Sequence, residues 1–289
     1  MTIAIFGNAM KSQTLAEVKH ILQFMTEKGV NVLLSHELRQ ELNLREYPSF
    51  ERDNASGEPV DFALSVGGDG TFLTSAAAIG DKHIPILGIN CGHLGFLAEV
   101  QAEDLDAILQ QLIAGEYTIE QRSLLHVDVT DKEGNVRENL IMAPNALNEI
   151  AILKEGLSSM LQIELKVNGE FLHTYNSDGL VIATPTGSTA YNLSIGGPLM
   201  APQSRGIIIT PIAPHSLTVK PLVVPDDWKF DLRVSSRYDA YMASVDGRSQ
   251  SLSTDLCLHI ERAPYTTKVV QIGDNGFLKS LRNKLNCGK

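Results

Sequence analysis

Gly67-Gly68-Asp69-Gly70-Thr71 places one carboxylate inside a run of glycines. The apolar run Phe62–Val66 precedes it and the apolar stretch Phe72–Ile79 follows, an order that predicts strand, tight turn and helix. Glycine lets a backbone approach a ligand closely and adopt positive φ. Backbone N–H groups at the start of the helix would face an anion. A carboxylate is unwelcome beside a phosphate unless it binds Mg²⁺ or orients a hydroxyl that attacks phosphorus, so Asp69 suggests phosphoryl transfer. Gly and Asp are also common turn formers, and these five residues alone fit a plain turn equally well.

A second constellation runs from Asp178 to Tyr191. The buried-type strand Leu180–Ala183 ends in Thr184-Pro185-Thr186-Gly187-Ser188-Thr189. Pro185 removes a donor and stops the strand, Gly187 supplies a bend, and Ser188 or Thr189 can cap a following helix. Short donors and acceptors beside the aromatic face of Tyr191 suit a nucleotide. Asn148-Glu149 puts an amide and a carboxylate into the otherwise apolar Ala146–Leu153 strand. Buried polar groups need partners, which a ribose diol or an internal network would supply equally well.

Together these segments resemble the NAD kinase family. The matching residues are Gly67–Thr71, Gly92–Leu97, Asn148-Glu149, Asp178–Tyr191 and Ser194–Pro198, with a weaker match over Pro211–Leu217. The resemblance implies phosphorylation of the adenosine-ribose 2′-hydroxyl of NAD by ATP, giving NADP. Mg²⁺ or another divalent metal would accompany ATP, with no tightly bound cofactor. By the same resemblance Asp69 accepts the proton of the attacking hydroxyl. Its main part is orientation and late proton capture, since a loose transition state needs little early deprotonation. Gly67, Gly68, Gly70 and Thr71 would hold the ATP phosphates. Asp69, Gly70, Asn148, Glu149, Asn176, Asp178, Thr189, Ala190, Tyr191, Asn192, Leu193, Ser194 and Ala213 would contact NAD, and Glu149 is also the candidate for a metal-linked role. A family contact like that of Ala213 can come from a neighbouring subunit, which implies a homo-oligomer, dimer or tetramer. Two positions depart from the family pattern: Asn176 stands where many members carry a bulkier basic residue, and Arg248 follows Asp246-Gly247 where Gln is frequent.

Two other readings compete. A lipid or sphingoid-base kinase shares the Gly-Gly-Asp-Gly element, but the chain lacks a basic amphipathic stretch for docking on a membrane. A non-catalytic dinucleotide sensor would not need a carboxylate at position 69. Gly7-Asn8-Ala9-Met10-Lys11-Ser12 fails the P-loop pattern, because no glycine immediately precedes the lysine. His215 and Ser216 are adjacent and poorly placed as a base–nucleophile pair.

The 289 residues suffice for one or two domains, and 43% hydrophobic content supports a full core. A net charge of −10 argues against a nucleic-acid partner. Cys91, Cys257 and Cys287 are sparse and far apart, which predicts reduced thiols and a cytoplasmic setting. Thr2–Phe6 reads as a strand rather than a secretion signal, and no stretch is long and apolar enough to predict a membrane span.

These residues must be positioned by two kinds of element. Ile3–Phe6, Asn31–Leu34, Phe62–Val66 and Ile84–Asn90 read as strands. Between and after them lie a helix with Leu15, Val18, Ile21, Leu22 and Met25 on one face, the helix after Gly70, and one marked by Leu105, Ile108, Leu109 and Leu112. Thr14 and Glu17 have the spacing of a capping box. Alternating strands and helices imply a doubly wound parallel α/β domain, 1–121, with the turn at a strand's carboxyl end. From about Arg122 the texture changes to short strands: Leu124–Val129, Val136–Met142, Leu147–Leu153, Gln162–Val167, Phe171–Tyr175 and five more after Gly206. Lys132–Asn135 and Asn168-Gly169 are hairpin signals. A β-sandwich-like, NAD-binding domain over 122–265 is expected. The resemblance adds that 266–289 returns to the first domain.

Overall fold

The computed structural model describes all residues except 51–58, 93, 94, 99, 102, 103, 139, 142, 157–159, 274, 275 and 286–289. Cys287, with His93 and Leu94 of the Gly92–Leu97 run, lies outside the described residues. The chain divides into two compact units, Met1–Gln121 with Thr267–Lys289, and Arg122–Thr266.

The first unit is α/β. In order it carries β1 (Thr2–Gly7), α1 (Ser12–Glu27), β2 (Asn31–Leu34), α2 (His36–Glu41), β3 (Phe62–Gly67), α3 (Asp69–Ile79), β4 (Ile86–Asn90), β5 (Val100–Gln101) and α4 (Leu105–Ala114). The parallel order is β2-β1-β3-β4, with Ile3 opposite Phe62 and Ala63 opposite Ile86. β3 and β4 are buried along their whole length, because parallel strands are covered on both faces and so read as unbroken apolar runs. Val18, Ile21, Leu22 and Met25 of α1 and Leu105, Ile108, Leu109 and Leu112 of α4 join the strands in one core. α4 ends at Gly115 in the left-handed conformation, φ +80.

The capping box does not form. α1 begins at Ser12, with Lys11 before it and no side-chain cap, so Thr14 lies inside the helix and is fully buried. The reason is packing: a Cβ added to Gly7 would lie 3.0 Å from Thr14 Cγ2, so the bare glycine makes room for Thr14 on the core side.

The second unit is almost entirely β. It contains β6 from residue 122 onward (the strand spans Thr118–Thr130), β7 (Asn145–Ala146), β8 (Glu149–Lys154), β9 (Leu161–Val167), β10 (Glu170–Ser177) and β11 (Gly179–Ala183). A 3₁₀ turn (Thr186–Thr189) and the short α5 (Tyr191–Ser194) follow. Then come β12 (Ile207–Ile212), β13 (Leu222–Val224), β14 (Phe230–Ser235), β15 (Ala240–Val245), β16 (Arg248–Ser253) and the greater part of β17 (Cys257–Gln271). α6 (Phe277–Leu285) closes the chain in the first unit. One sheet of the second unit has the order β13-β12-β11-β8-β15-β16. The other is built on β10-β9-β14-β17, with β6 also beside β17. Ile150, Ile152, Leu180, Ile182, Ile207, Ile209, Tyr241 and Val245 of the first meet Ile163, Leu165, Phe230 and Leu232 of the second in a single core. This is the expected sandwich; β9 and β14 alternate inward and outward, while β8, β11 and β12 are buried along most or all of their length. Asn168 (φ +51) and Gly169 (φ +83) close the β9–β10 hairpin as their sequence predicts.

Among the described residues, Val136–Met142 is not a strand. Val136 makes one isolated bridge to Thr130. The Asp131 carboxylate accepts from the backbone N–H groups of Glu133 and Asn135, which ties the turn, and Arg137 N donates to Val129 O beyond it. Two elements had no legible pattern: α2 is only six residues long, and β16 buries only Leu252 fully.

Gly88 on β4 supports the site described next. A Cβ there would lie 2.7 Å from Leu97 O and 2.8 Å from Ala98 Cα. Gly88→Ala should therefore cost about 1–3 kcal/mol by overpacking against backbone, read as a lower denaturant midpoint.

Candidate active site

The glycine turn is as tight as its sequence suggests. Gly67 has φ +153, and a Cβ there would lie 2.3 Å from Thr71 Oγ1, so only glycine fits. Asp69 opens α3, but its side chain does not cap that helix. Oδ2 accepts from the backbone N–H of Phe96 at 2.8 Å, and Oδ1 accepts from Leu97 at 3.0 Å and Ala98 at 3.1 Å. Gly95 permits this approach, since its Cβ would fall 1.8 Å from Oδ1. Bonds to an ionised acceptor are the stronger kind. An ionised carboxylate has about four lone-pair sites, so three are used and roughly one remains. The Phe96 ring in turn lies 4.0 Å from Lys284 Nζ on α6.

The second unit repeats the device. Asp246, at φ +48 in the β15–β16 turn, accepts from the backbone N–H groups of Leu147 (2.8 Å), Asn148 (2.8 Å) and Glu149 (3.1 Å). Its side chain is only 3% exposed. On the other side of this segment Thr184 Oγ1 donates to Leu147 O, and Thr184 N donates to Asn148 O. A Cβ on Gly187 would lie 2.1 Å from Asn148 O, so the Thr184–Ser188 turn presses directly on the Asn148 backbone. Arg248 Nη2 donates to Asn145 O at 3.2 Å.

Glu149 is held among these groups. It is 9% exposed, it accepts from the backbone N–H of Tyr191, and Oε2 is buried without a partner. Burial, with the neighbouring Asp246 charge second, pushes its carboxyl up to about 7. Burial likewise raises Asp246, against the pull of its three backbone donors and Arg248. Thr186 Oγ1 is also buried without a partner. One Glu149 carboxylate oxygen and the Thr186 hydroxyl therefore have no partner inside the unit, as a ligand site requires.

The other expected contacts fall in different places. Thr189 and Ala190 are half-buried in the turn that leads to α5, and Leu193 is half-buried on it. Tyr191 is 36% exposed and Ser194 is exposed, so Tyr191 is not a core residue. Asp178 pairs with Lys154 Nζ at 2.8 Å. Asn176 is exposed on β10, in a shallow depression with Gln162 and Arg237. Ala213 is exposed with φ +44, a conformation that strains a residue bearing a Cβ. Asn192 is placed differently from its neighbours in this set. Its side chain is fully buried, donates to Ser188 O and Pro198 O, and accepts from Thr210 Oγ1 at 2.7 Å. With both ends of the amide bonded internally, it orders the turn and presents no side chain to a ligand. Asp246 was not among the expected site residues. Its Asp-Gly dipeptide signals a hairpin, and nothing local reveals the backbone it organises nearly a hundred residues away.

Comparison with known proteins agrees with this arrangement. The family model for the ATP-NAD kinase N-terminal domain matches residues 3–117, and that for the C-terminal domain matches residues 147–272. An NAD kinase of Bacteroides fragilis is 42% identical, over 100% of this chain and 98% of its own. An NAD kinase of Flavobacterium johnsoniae is 39% identical over 100% and 99%. The chain belongs to the NAD kinase family. It is an enzyme, a phosphotransferase of that family's kind. A solved NAD kinase from Archaeoglobus fulgidus in complex with ATP aligns with TM-score 0.73 and 26% identity, covering 99% of this chain and 98% of that one. Yeast NADH kinase complexed with NADH shares the fold, with TM-score 0.87 at 24% identity, covering 100% and 88%. Arg248, one of the two departures from the family's pattern, serves here as a backbone clamp on Ala143 and Asn145.

The buried Glu149 makes stability depend on pH. Its folded value, about 7, lies above the ordinary 4.5, so the folded state binds the proton more tightly. Stability should fall as pH rises through that window, by up to about 3 kcal/mol from this group. Glu149→Gln cannot ionise, so its stability relative to wild type should be markedly higher at pH 8 than at pH 5 in urea titrations.

Proposed function

We propose that the γ-phosphoryl group of ATP passes to the 2′-oxygen of the adenosine ribose of NAD, giving NADP and ADP. The observation that carries this reading is the Asp69 carboxylate, anchored by three N–H donors inside the glycine turn with roughly one lone pair left over. As the ribose oxygen bonds to the γ-phosphorus, the bond from that phosphorus to the oxygen bridging the β-phosphate breaks, and ADP leaves. The hydroxyl proton passes to the remaining Asp69 lone pair and from there to water. Because the transition state is loose, fixing the hydroxyl in line matters more than basicity, and an anchored carboxylate suits that task. The backbone of Gly67, Gly68, Gly70 and Thr71 cradles the phosphates at the start of α3.

The β-rich unit, 122–265, binds NAD through Asn148, Glu149 with its unpartnered Oε2, Asp178, Thr189, Ala190, Tyr191, Leu193 and Ser194. Asn176 stands apart in its shallow depression, and its place in the NAD set rests on the resemblance alone. Among the described residues no three His, Cys, Asp or Glu side chains gather into a metal-binding group. Mg²⁺ commonly takes one or two carboxylates plus substrate phosphates, so it would arrive with the nucleotide. Mg²⁺, when bound with ATP, would neutralise charge on the phosphates. The strained, exposed Ala213 serves as a contact offered to a second copy, making the enzyme a homo-oligomer. The setting is cytoplasmic, a reading that rests on the sparse, widely spaced cysteines. Among the described residues no helix is long and apolar enough to cross a membrane.

The test is NADP formation from NAD, ATP and Mg²⁺, read with an NADP-specific dehydrogenase. Asp69→Asn should lower kcat by about 10²–10⁴ while NAD binding, measured by calorimetry, is retained. Equal loss of NAD binding would make Asp69 a binding residue only. No NADP from ATP, polyphosphate or NADH would bring the sensor and lipid-kinase readings forward.

A further inference from the structure

The bend that holds Asp69 is fixed unevenly along its length. Gly95 N donates to Ala98 O at 3.3 Å and closes it. Leu97 and Ala98 are 5% and 0% exposed, so core packing holds the two N–H groups that donate to Oδ1. Phe96 is only half-buried, and its N–H is the donor to Oδ2. With about two lone pairs on each carboxylate oxygen, Oδ1 is filled and the spare lone pair belongs to Oδ2. The direction of that lone pair therefore depends on Phe96, the donor that the core holds least.

What steadies Phe96 arrives from the last helix of the same unit. Lys284 Nζ lies 4.0 Å from the centre of the Phe96 ring, inside the cation–π range of about 6 Å. The helix is built to bring it there. Phe277, Ser280, Leu281 and Lys284 follow the spacing of one helical face, and all four are buried or half-buried. Leu278, Lys279, Arg282 and Asn283, on the other side, are exposed. Lys284 is thus the one basic side chain of α6 on its inward face, where a cation needs a partner such as the ring. We propose that Lys284 is a positioning residue for phosphoryl transfer: through the Phe96 ring it fixes the N–H that aims the spare Asp69 lone pair at the ribose hydroxyl. The inference rests on the kinase reading above and adds a residue that acts through the Asp69 anchor without touching substrate.

Lys284→Met keeps an unbranched side chain and removes the charge, while Lys284→Arg keeps a cation for the ring. Lys284→Met should lower kcat for NADP formation about three- to tenfold, with the KM for NAD and for ATP within about twofold and melting temperature unchanged. Lys284→Arg should restore kcat. In a Phe96→Leu background Lys284→Met should lower kcat no further, because the ring through which it acts is gone. Amide hydrogen exchange read by mass spectrometry supplies a measure independent of turnover. The 95–98 segment should exchange faster in Lys284→Met than in wild type or Lys284→Arg. If kcat and exchange are both unchanged in Lys284→Met, the proposal is overturned, and the kinase reading stands on Asp69→Asn. A raised KM in place of a lowered kcat would make Lys284 a binding residue and overturn it too. So would a fall in kcat and melting temperature together that Lys284→Arg does not repair, or an equal loss in the Phe96→Leu background. If wild type makes no NADP, the kinase reading fails, and exchange alone decides whether Lys284 clamps the bend.

Discussion

A backbone N–H removed from water and given no acceptor is costly, and in this protein two aspartates answer that cost for two essential segments. Asp69 accepts from Phe96, Leu97 and Ala98; Asp246 accepts from Leu147, Asn148 and Glu149. In each unit three consecutive donors at a bend converge on one charged side chain. Apart from Glu149, which opens β8 opposite Ala183, the segments so held are neither helix nor regular ladder at that point, and the carboxylate supplies the acceptor that these donors use. The glycines nearby follow from the same constraint. Gly95 must lack a Cβ for Asp69 to come within reach, and Gly187 must lack one for the Thr184–Ser188 turn to press on Asn148.

The arrangement has electrostatic consequences. Spending an aspartate's lone pairs on backbone leaves Asp69 about one free position, directed rather than diffuse. That is a good orienting group, which matches what phosphoryl transfer asks of it. In the second unit the buried Asp246 charge sits close enough to Glu149 to raise the latter's affinity for a proton, after burial has done most of that work. The segment is thus held in shape by one carboxylate at the expense of the other's ionisation. Hydrogen-bond donors supplied by a bound ligand would relieve Glu149, so the same placement that weakens the free protein favours binding.

Local order came through the sequence clearly. The unbroken apolar runs of β1, β3 and β4, the helical stripes of α1 and α4, the left-handed Gly115 and the Asn168-Gly169 hairpin follow from period and turn chemistry over a few neighbours. The glycine turn and the Thr184–Thr189 run were legible for the same reason. Where local rules failed, packing overrode them. Thr14 has capping-box spacing but fills the space above Gly7.

By itself, then, the sequence determined which segments are strand or helix, which turns demand glycine, and that a carboxylate sits in a phosphate-type turn. Those properties depend on backbone sterics and on side-chain period, both of which act between near neighbours. The tertiary structure alone decided what each polar side chain does. Asp69 finds its donors 27 to 29 residues away and Asp246 finds Asn148 98 residues away. Asn192 turns inward to Thr210, and Asp178 takes Lys154. A hydrogen-bonding side chain is satisfied by whatever the fold brings within about 3 Å, and no local pattern records that partner.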